Sequence, residues 1–416
     1  MAKQWSERRT ITAGVVGNVL EWYDFGVYGF FASVIATQFF PSHNPMLSLI
    51  AAFGAFAAGF LMRPVGAAIF GHIGDRYGRG HALKLSVLCM AVPTFCIGLL
   101  PTFETWGVMA AVLMVLMRMA QGVAVGGEYT SSIVFLAERA PPGRRAFFTC
   151  WSMFGATGGI LLGSAVGALL SSLMSPEALN DWGWRVAFLA GIAVAGMGYF
   201  IRRGLEEHPV AAGEKSPLVE AVRNHGRALA QVIGLNVVLA VTFYLMFVYA
   251  VTWMIKNVGE ARSTALDINT MAMLVLLAAL PLSARLADAF GRKRMMLLGI
   301  GATAVLAYPL VSLMHHPNAL WIASGQIGFA LLVAVFASSI PATMTESFPR
   351  SVRVTAVSVS YNLTFAVLGG TSPMVAVWLI ERSHDDLAFA WYISAAAVVS
   401  FLCALKVTDR GKLPLD

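Results

Sequence analysis

The sequence predicts an all-α membrane protein of twelve spanning helices, arranged as two six-helix repeats with both termini cytoplasmic. Three observations lead there: an excess of apolar residues, a one-sided distribution of basic residues, and internal repetition. Hydrophobic residues make up 58% of the 416 and charged residues 12%, against about 45–50% and 25% in soluble domains. So few charges cannot clothe a soluble fold of this size. A soluble enzyme, a disordered chain and a secreted disulfide scaffold are excluded. The net charge of +7 is no nucleic-acid footprint, because the basic residues sit in short loops between apolar stretches. Cys89, Cys96, Cys150 and Cys403 all fall inside apolar stretches, where a free thiol packs as a small hydrophobe. No disulfide and no metal site is expected.

A spanning helix needs about 20 mostly apolar residues. Such stretches fall at 10–38, 47–72, 83–102, 106–137, 146–174, 185–203, 229–256, 266–288, 294–314, 318–345, 354–380 and 386–407, numbered here as spans 1 to 12. Backbone groups in lipid must be satisfied within the segment, so these stretches are helices. The N-terminus, the even-numbered loops and the C-terminus hold 23 of the 29 Lys and Arg residues. The opposite loops hold only Arg185, Lys256, Arg262 and Arg382. Positive charge stays inside, which places both termini in the cytoplasm. The longest loop, 204–228, divides an N-terminal bundle (1–203) from a C-terminal bundle (229–416).

The two halves repeat one another. Asp75, Gly78 and Arg79 after span 2 recur as Asp288, Gly291 and Arg292 after span 8, 213 positions later. Glu138, Pro141 and Arg145 after span 4 recur as Glu346, Pro349 and Arg353 after span 10, 208 positions later. Six is an even number, so the halves insert with the same topology, related by an axis along the membrane normal.

Gly71-His-Ile-Gly-Asp75-Arg76-Tyr-Gly78-Arg79 resembles the loop signature of the major facilitator superfamily, with its weaker copy at 284–293. Other motifs are similar to its metabolite:proton symporter family. These are Gly17-Asn18-Val-Leu-Glu21-Trp22-Tyr23-Asp24-Phe25, Leu61-Met-Arg63-Pro64-Val-Gly66, Arg118-Met-Ala-Gln121-Gly122 and Gly126-Gly127-Glu128. Glu346-Ser-Phe-Pro349, Tyr361-Asn362 and Gly369-Gly370 continue the pattern in order. The resemblance implies the major facilitator fold and proton-coupled uptake across a bacterial inner membrane. Family members carry organic acids such as citrate, 2-oxoglutarate and shikimate, or zwitterions such as proline and betaine.

The residues add their own argument. An ionisable group at bilayer depth costs at least about 2.5–3.5 kcal/mol on insertion scales, so each needs a partner, a cavity or a function. The first half carries Glu21, Asp24, Arg63, Arg118 and Glu128 inside its spans; the second half has none as deep. Asp24 and Arg118 both fall near the midplane, where they are expected to meet as a proton switch. The field of Arg118 holds the ionised carboxylate while desolvation opposes it, so the position of Arg118 decides whether Asp24 carries a proton. A static ion pair that only fixes packing is the alternative. Glu21, one turn nearer the cytoplasm, joins this coupling group or packs helices. Arg63 either grips a substrate carboxylate or snorkels to the cytoplasmic face. Glu128, after Gly126-Gly127, is divided between function and packing.

Polar groups at depth are Tyr28, Gln121, Tyr129, Tyr244, Tyr249, Trp253, Gln326, Tyr361 and Asn362. Singly such groups glue helices together; as a set they line a midplane cavity. The substrate contacts expected among them and their charged neighbours are Arg118, Arg63, Tyr28, Gln121, Glu128, Tyr129, Tyr361 and Asn362. Gly159, Gly163 and Gly167 give span 5 a close-packing face. The loop charges Asp75, Arg76, Arg79, Glu138, Arg145, Asp288, Arg292, Glu346 and Arg353 are expected to form a cytoplasmic gate. Ala289 stands where the first copy has Arg76, which predicts a weaker second network.

No P-loop pattern is present, which argues against an ATP-driven pump, and no nucleophile–base set at depth suggests an intramembrane enzyme. The expected activity is proton-coupled symport of a small carboxylate by a monomer, with the proton gradient as energy source and no cofactor. A zwitterion carrier and an exporter of the same fold are the alternatives.

Overall fold

The computed structural model describes residues 7–77, 79–202 and 217–415. Each of the twelve predicted stretches is occupied by helix. Span 1 is Glu7–Phe30 and Ala32–Phe39, span 2 Pro45–Leu61 and Arg63–Tyr77, span 3 Arg79–Leu99, span 4 Val108–Val125 and Glu128–Arg139, span 5 Arg145–Leu173 and span 6 Trp184–Arg202. In the second half, span 7 runs from Pro217–Tyr244 through a π-helical turn, Leu245–Tyr249, and on to Val258. Span 8 is Arg262–Phe290, span 9 Arg292–Met314, span 10 Ala319–Ala337 and Ile340–Glu346, span 11 Arg353–Thr364 through Ser372–Ser383, and span 12 Ala388–Leu405. Among the described residues nine helices are long and apolar enough to cross a membrane. The expected central loop, 204–228, is helical from Pro217 onward, kinked at His225. Residues 203–216 lie outside the described residues.

Side chains too apolar for water point outward, among them Leu169, Leu298, Val305, Leu320 and Trp391, all more than half exposed. That is the surface a bilayer would cover. Polar groups face inward instead. Arg63 is 1% and Arg118 0% exposed.

Glycine sets the closest approaches. Span 5 packs along span 1, and a methyl added at Gly163 would sit 3.1 Å from the Val27 amide nitrogen. Spans 2 and 4 touch at Gly59 and Gly122, where an added Cβ on Gly122 would strike the Gly59 carbonyl. Only a residue without a side chain permits that spacing. The halves meet along two seams, span 5 on span 8 and span 2 on span 11. These seams are equivalent under the repeat. Spans 1, 4, 7 and 10 all depart from regular α geometry, at Phe31, Gly126–Gly127, Leu245–Tyr249 and Ser338–Ser339. Irregular backbone at membrane depth is tolerated where protein or a cavity surrounds it.

Candidate functional site

Asp24 sits on span 1 and is nearly fully buried. Its carboxylate accepts a hydrogen bond from Thr94 Oγ1 on span 3 at 2.6 Å. Thr94 Oγ1 in turn accepts from Gln121 Nε2 at 2.7 Å, and Gln121 Oε1 accepts from Arg118 Nη1 at 2.5 Å. The sequence places Asp24 and Arg118 at one depth as an expected pair. The structure instead joins them through Gln121 and Thr94, with no direct ion pair between them. The chain is directional, since every link donates from the guanidinium towards the carboxylate. Each bond therefore polarises the next. Thr94 is the residue that sequence reasoning missed. Its signal is the Pro93-Thr94 pair inside span 3, an interior proline that perturbs the local helix. Gly191 on span 6 closes the other side, where an added Cβ would lie 3.1 Å from Asp24 Oδ1. Tyr23 Oη donates to the Ala187 carbonyl at 2.9 Å and ties spans 1 and 6 beside it. Asp24 thus lies inside the N-terminal bundle, turned away from the second half.

Glu21 and Arg63 form a second buried pair, Nη2 to Oε1 at 3.5 Å. Arg63 does not snorkel; its burial and this partner hold it inside. Its guanidinium carbon stands 4.9 Å from the Trp22 ring centre and 4.7 Å from Phe60. Arg118 stands over Tyr28 at 4.3 Å and Phe25 at 4.7 Å. Cations over aromatic faces are stabilised by the ring quadrupole, more so when desolvated. The two guanidiniums therefore share one cage built from spans 1 and 2, with Phe25 within 5.4 Å of Arg63 as well.

The other expected contacts divide. Tyr28 presents its ring to Arg118 while its hydroxyl donates to the Ala52 carbonyl. Gln121 belongs to the relay. Tyr129 and Tyr361 meet across the two halves at 4.7 Å between ring centres. Asn362 donates to the Gly126 carbonyl at 2.8 Å, meeting a backbone acceptor at the break in span 4. These last three lie at the join between the halves. The side chain of Glu128 lies outside the described residues. Four buried side chains around the cage keep N–H or O–H groups with no hydrogen-bond partner among the described residues. They are Trp22 Nε1, Arg63 Nε and Nη1, Arg118 Nε and Nη2, and Tyr244 Oη.

Of the nine charges expected to form a gate, the six with described side chains assemble at the Lys/Arg-rich face. Glu346 accepts from Arg145 of the first half and from Arg292 of its own. Arg353 Nη1 pairs with Glu138 across the halves at 3.1 Å. Asp288 pairs with Arg292 at 3.0 Å and accepts from the amides of Ala146 and Phe147 at 3.0 and 2.9 Å. Those amides open span 5, so Asp288 caps a helix of the other half, where free N–H groups and the helix dipole favour an anion. Ala289 leaves the second copy without the arginine of position 76, and the N-terminus of span 5 supplies Asp288 with partners of its own. The side chains of Asp75, Arg76 and Arg79 lie outside the described residues. The C-terminal segment joins the network, with Arg145 donating to the Leu413 carbonyl and Arg410 to that of Glu346. At the opposite face Arg262 Nη2 donates to Ser33 Oγ at 2.8 Å and Nη1 to the Phe30 carbonyl at 3.3 Å. The halves are thus tied at both ends around the cage.

Residues 10–210 match the family described as "Sugar (and other) transporter", and residues 233–411 the family "Major Facilitator Superfamily". The proline/betaine transporter of Salmonella typhimurium is 33% identical, over 98% of this chain and 85% of its own. The chain belongs to the major facilitator superfamily. The alpha-ketoglutarate permease of Escherichia coli is 35% identical, over 95% of this chain and 92% of its own. The glycine betaine/proline/ectoine/pipecolic acid transporter of Dickeya dadantii is 34% identical, over 98% and 84%. Among solved structures, the proton:xylose symporter bound to 6-bromo-6-deoxy-D-glucose superposes with a TM-score of 0.79, at 17% identity over 98% and 97%. That likeness is one of fold. As a member of the major facilitator superfamily, this chain is a multi-pass transporter of the bacterial inner membrane and not an enzyme.

Proposed function

We propose that this transporter takes up a compact zwitterion of the betaine or proline type together with a proton. One observation carries the reading. Unpartnered donors of Trp22, Arg63, Arg118 and Tyr244 belong to side chains that pack in one aromatic cage. A buried donor without an acceptor costs about 1–3 kcal/mol. A carboxylate is acceptor-only and can take several such donors at once. Charge bookkeeping favours a neutral substrate: Glu21 offsets Arg63 and Asp24 offsets Arg118, so a zwitterion adds no net charge at depth. Its onium end needs aromatic faces other than those under the two guanidiniums, and Tyr129, Tyr361 and Phe365 adjoin the cage. Two of the relatives named above carry proline and betaine in their names, which shifts the sequence-based preference for an organic acid towards its alternative.

Coupling follows from the relay. A carboxylate that draws Arg118 away breaks its bond to Gln121, and the chain through Thr94 no longer delivers positive field to Asp24. Asp24 then binds the proton that travels with the substrate. The energy source is the proton gradient, with no resident cofactor. A dicarboxylate is the second reading, because Arg63 offers its own pair of unpartnered nitrogens as a second grip and one relative is named a ketoglutarate permease. Purified protein in liposomes, acidic outside, should accumulate glycine betaine or proline and lose that accumulation when a protonophore is added. Uptake indifferent to the pH gradient would refute the coupling. Accumulation of 2-oxoglutarate alone would refute the zwitterion.

A further inference from the structure

We infer that Tyr244 is the specificity-determining contact on the second half: its hydroxyl donates to the substrate carboxylate that Arg118 holds from the first half. The inference rests on the carboxylate reading above and names the residue that completes it.

Tyr244 belongs to span 7, yet its ring enters the first half's cage. Ring centres lie 5.1 Å from Phe60, 5.9 Å from Phe56 and 6.5 Å from Trp22. The side chain is fully buried and its Oη has no partner among the described residues. A tyrosine kept only for packing gains nothing from such a hydroxyl, since its burial without a bond is costly. Phenylalanine would fill the same space.

The surroundings also fix where the ring points. Immediately after Tyr244 the helix takes the π-helical turn Leu245–Tyr249; such turns are frequent at functional sites. Two buried amides pin it. Gln326 Nε2 on span 10 donates to the Met246 carbonyl at 2.6 Å and to Asn269 Oδ1 at 2.7 Å. Asn269 Nδ2 on span 8 donates to the Phe247 carbonyl at 3.4 Å. Span 11 makes room with Gly369, where an added Cβ would lie 3.2 Å from the Tyr244 ring. Three spans of the second half thus hold one tyrosine ring against the aromatic cage of the first. A substrate bonded to both sides joins the halves, and a ligand can favour the joined state only through contacts made there.

Tyr244→Phe tests this, because it deletes the oxygen and keeps the ring. The probes are glycine betaine, proline, 2-oxoglutarate and choline, an onium compound with no carboxylate. The variant should show a ligand-free thermal midpoint no lower than the wild type's, since the ring is kept and an unpartnered hydroxyl is removed. Its carboxylate probes should bind about ten- to a hundredfold more weakly, the usual worth of a hydrogen bond to a charged group. The preference for glycine betaine over choline should shrink by the same factor. As a second measurement, 3-fluorotyrosine at position 244 of the otherwise native protein should show a shifted fluorine resonance on adding the bound probe. Unchanged affinities in Tyr244→Phe, or an unmoved fluorine resonance at saturating probe, overturns the assignment while leaving the proposed function standing. Wild-type protein that binds none of the carboxylates overturns both.

Discussion

Glu346 is the sharpest place to test the cytoplasmic gate. One buried carboxylate oxygen serves Arg145 of the first half and Arg292 of its own half. Glu346→Gln removes the charge while keeping the shape. The bond to Arg292 lies within one half and persists in either state, so its loss cancels from the gating equilibrium. The bond to Arg145 exists only while the halves are closed on this side. A hydrogen bond between charged groups is worth about 1.5–3 kcal/mol, or about 10- to 150-fold in an equilibrium constant at 1.4 kcal/mol per decade. An inward-open state populated at about 1% would rise to about 10–60%. Spin labels on the exposed loop positions Pro142 and Ser351, one on each half, should therefore gain a longer distance in Glu346→Gln without ligand. Arg145→Gln should shift it at least as far, because it also loses the bond to the Leu413 carbonyl. The double variant should add little to Arg145→Gln, because the two singles share the Arg145–Glu346 bond. Glu138→Gln should do less. Its partner Arg353 is buried, but the Glu138 side chain is 36% exposed, and exposed pairs contribute at most about 1 kcal/mol. A distance distribution in Glu346→Gln that superposes on the wild type would refute the gate.

Three further outcomes follow from the same geometry. Asp24→Asn should abolish proton-driven accumulation while preserving substrate exchange, since the amide still accepts from Thr94 as a protonated carboxyl would; counterflow and uphill uptake in liposomes separate the two activities. Arg118→Lys keeps the charge but loses the planar fork and its bond to Gln121, so carboxylate affinity should fall about tenfold or more, read by thermal shift. Arg262→Ala cuts the tie to Ser33 and the Phe30 carbonyl, and should favour the state open on the outer face, read as faster labelling of a cysteine at Ser48, which is buried in the closed form.

Much of the architecture is legible in the chain because it follows from solvent. Hydropathy marks the spans, since a segment in lipid must be apolar and helical. Loop charge sets the orientation, and the repeated loop motifs reveal the two halves. Depth along a helix follows from residue number, which is why Asp24, Arg118, Glu21 and Arg63 stand out as buried charges. The helical start of the central segment at Pro217 was not legible. Its polar, Gly- and Pro-containing approach at 213–217 reads as loop, while the residues beyond Pro217 carry a helix into the bundle.

What the sequence could not supply is which way each buried side chain turns. A helix with one lipid face advertises its orientation through periodicity; a helix surrounded by protein does not. Span 7 is of the second kind, with Phe243 to Met254 buried residue after residue. Tyr244 therefore reads as one of several polar groups at depth, and only packing shows its ring entering the opposite half. The same holds for Thr94, an ordinary hydroxyl until folding sets it between Gln121 and Asp24, and for Asp288, which besides Arg292 takes two backbone amides that no side-chain pattern records. Composition determined that this chain is a multi-pass membrane protein, and loop charge predicts its direction. The tertiary structure decided which buried groups meet, because partner choice depends on rotation and distance between helices far apart in sequence.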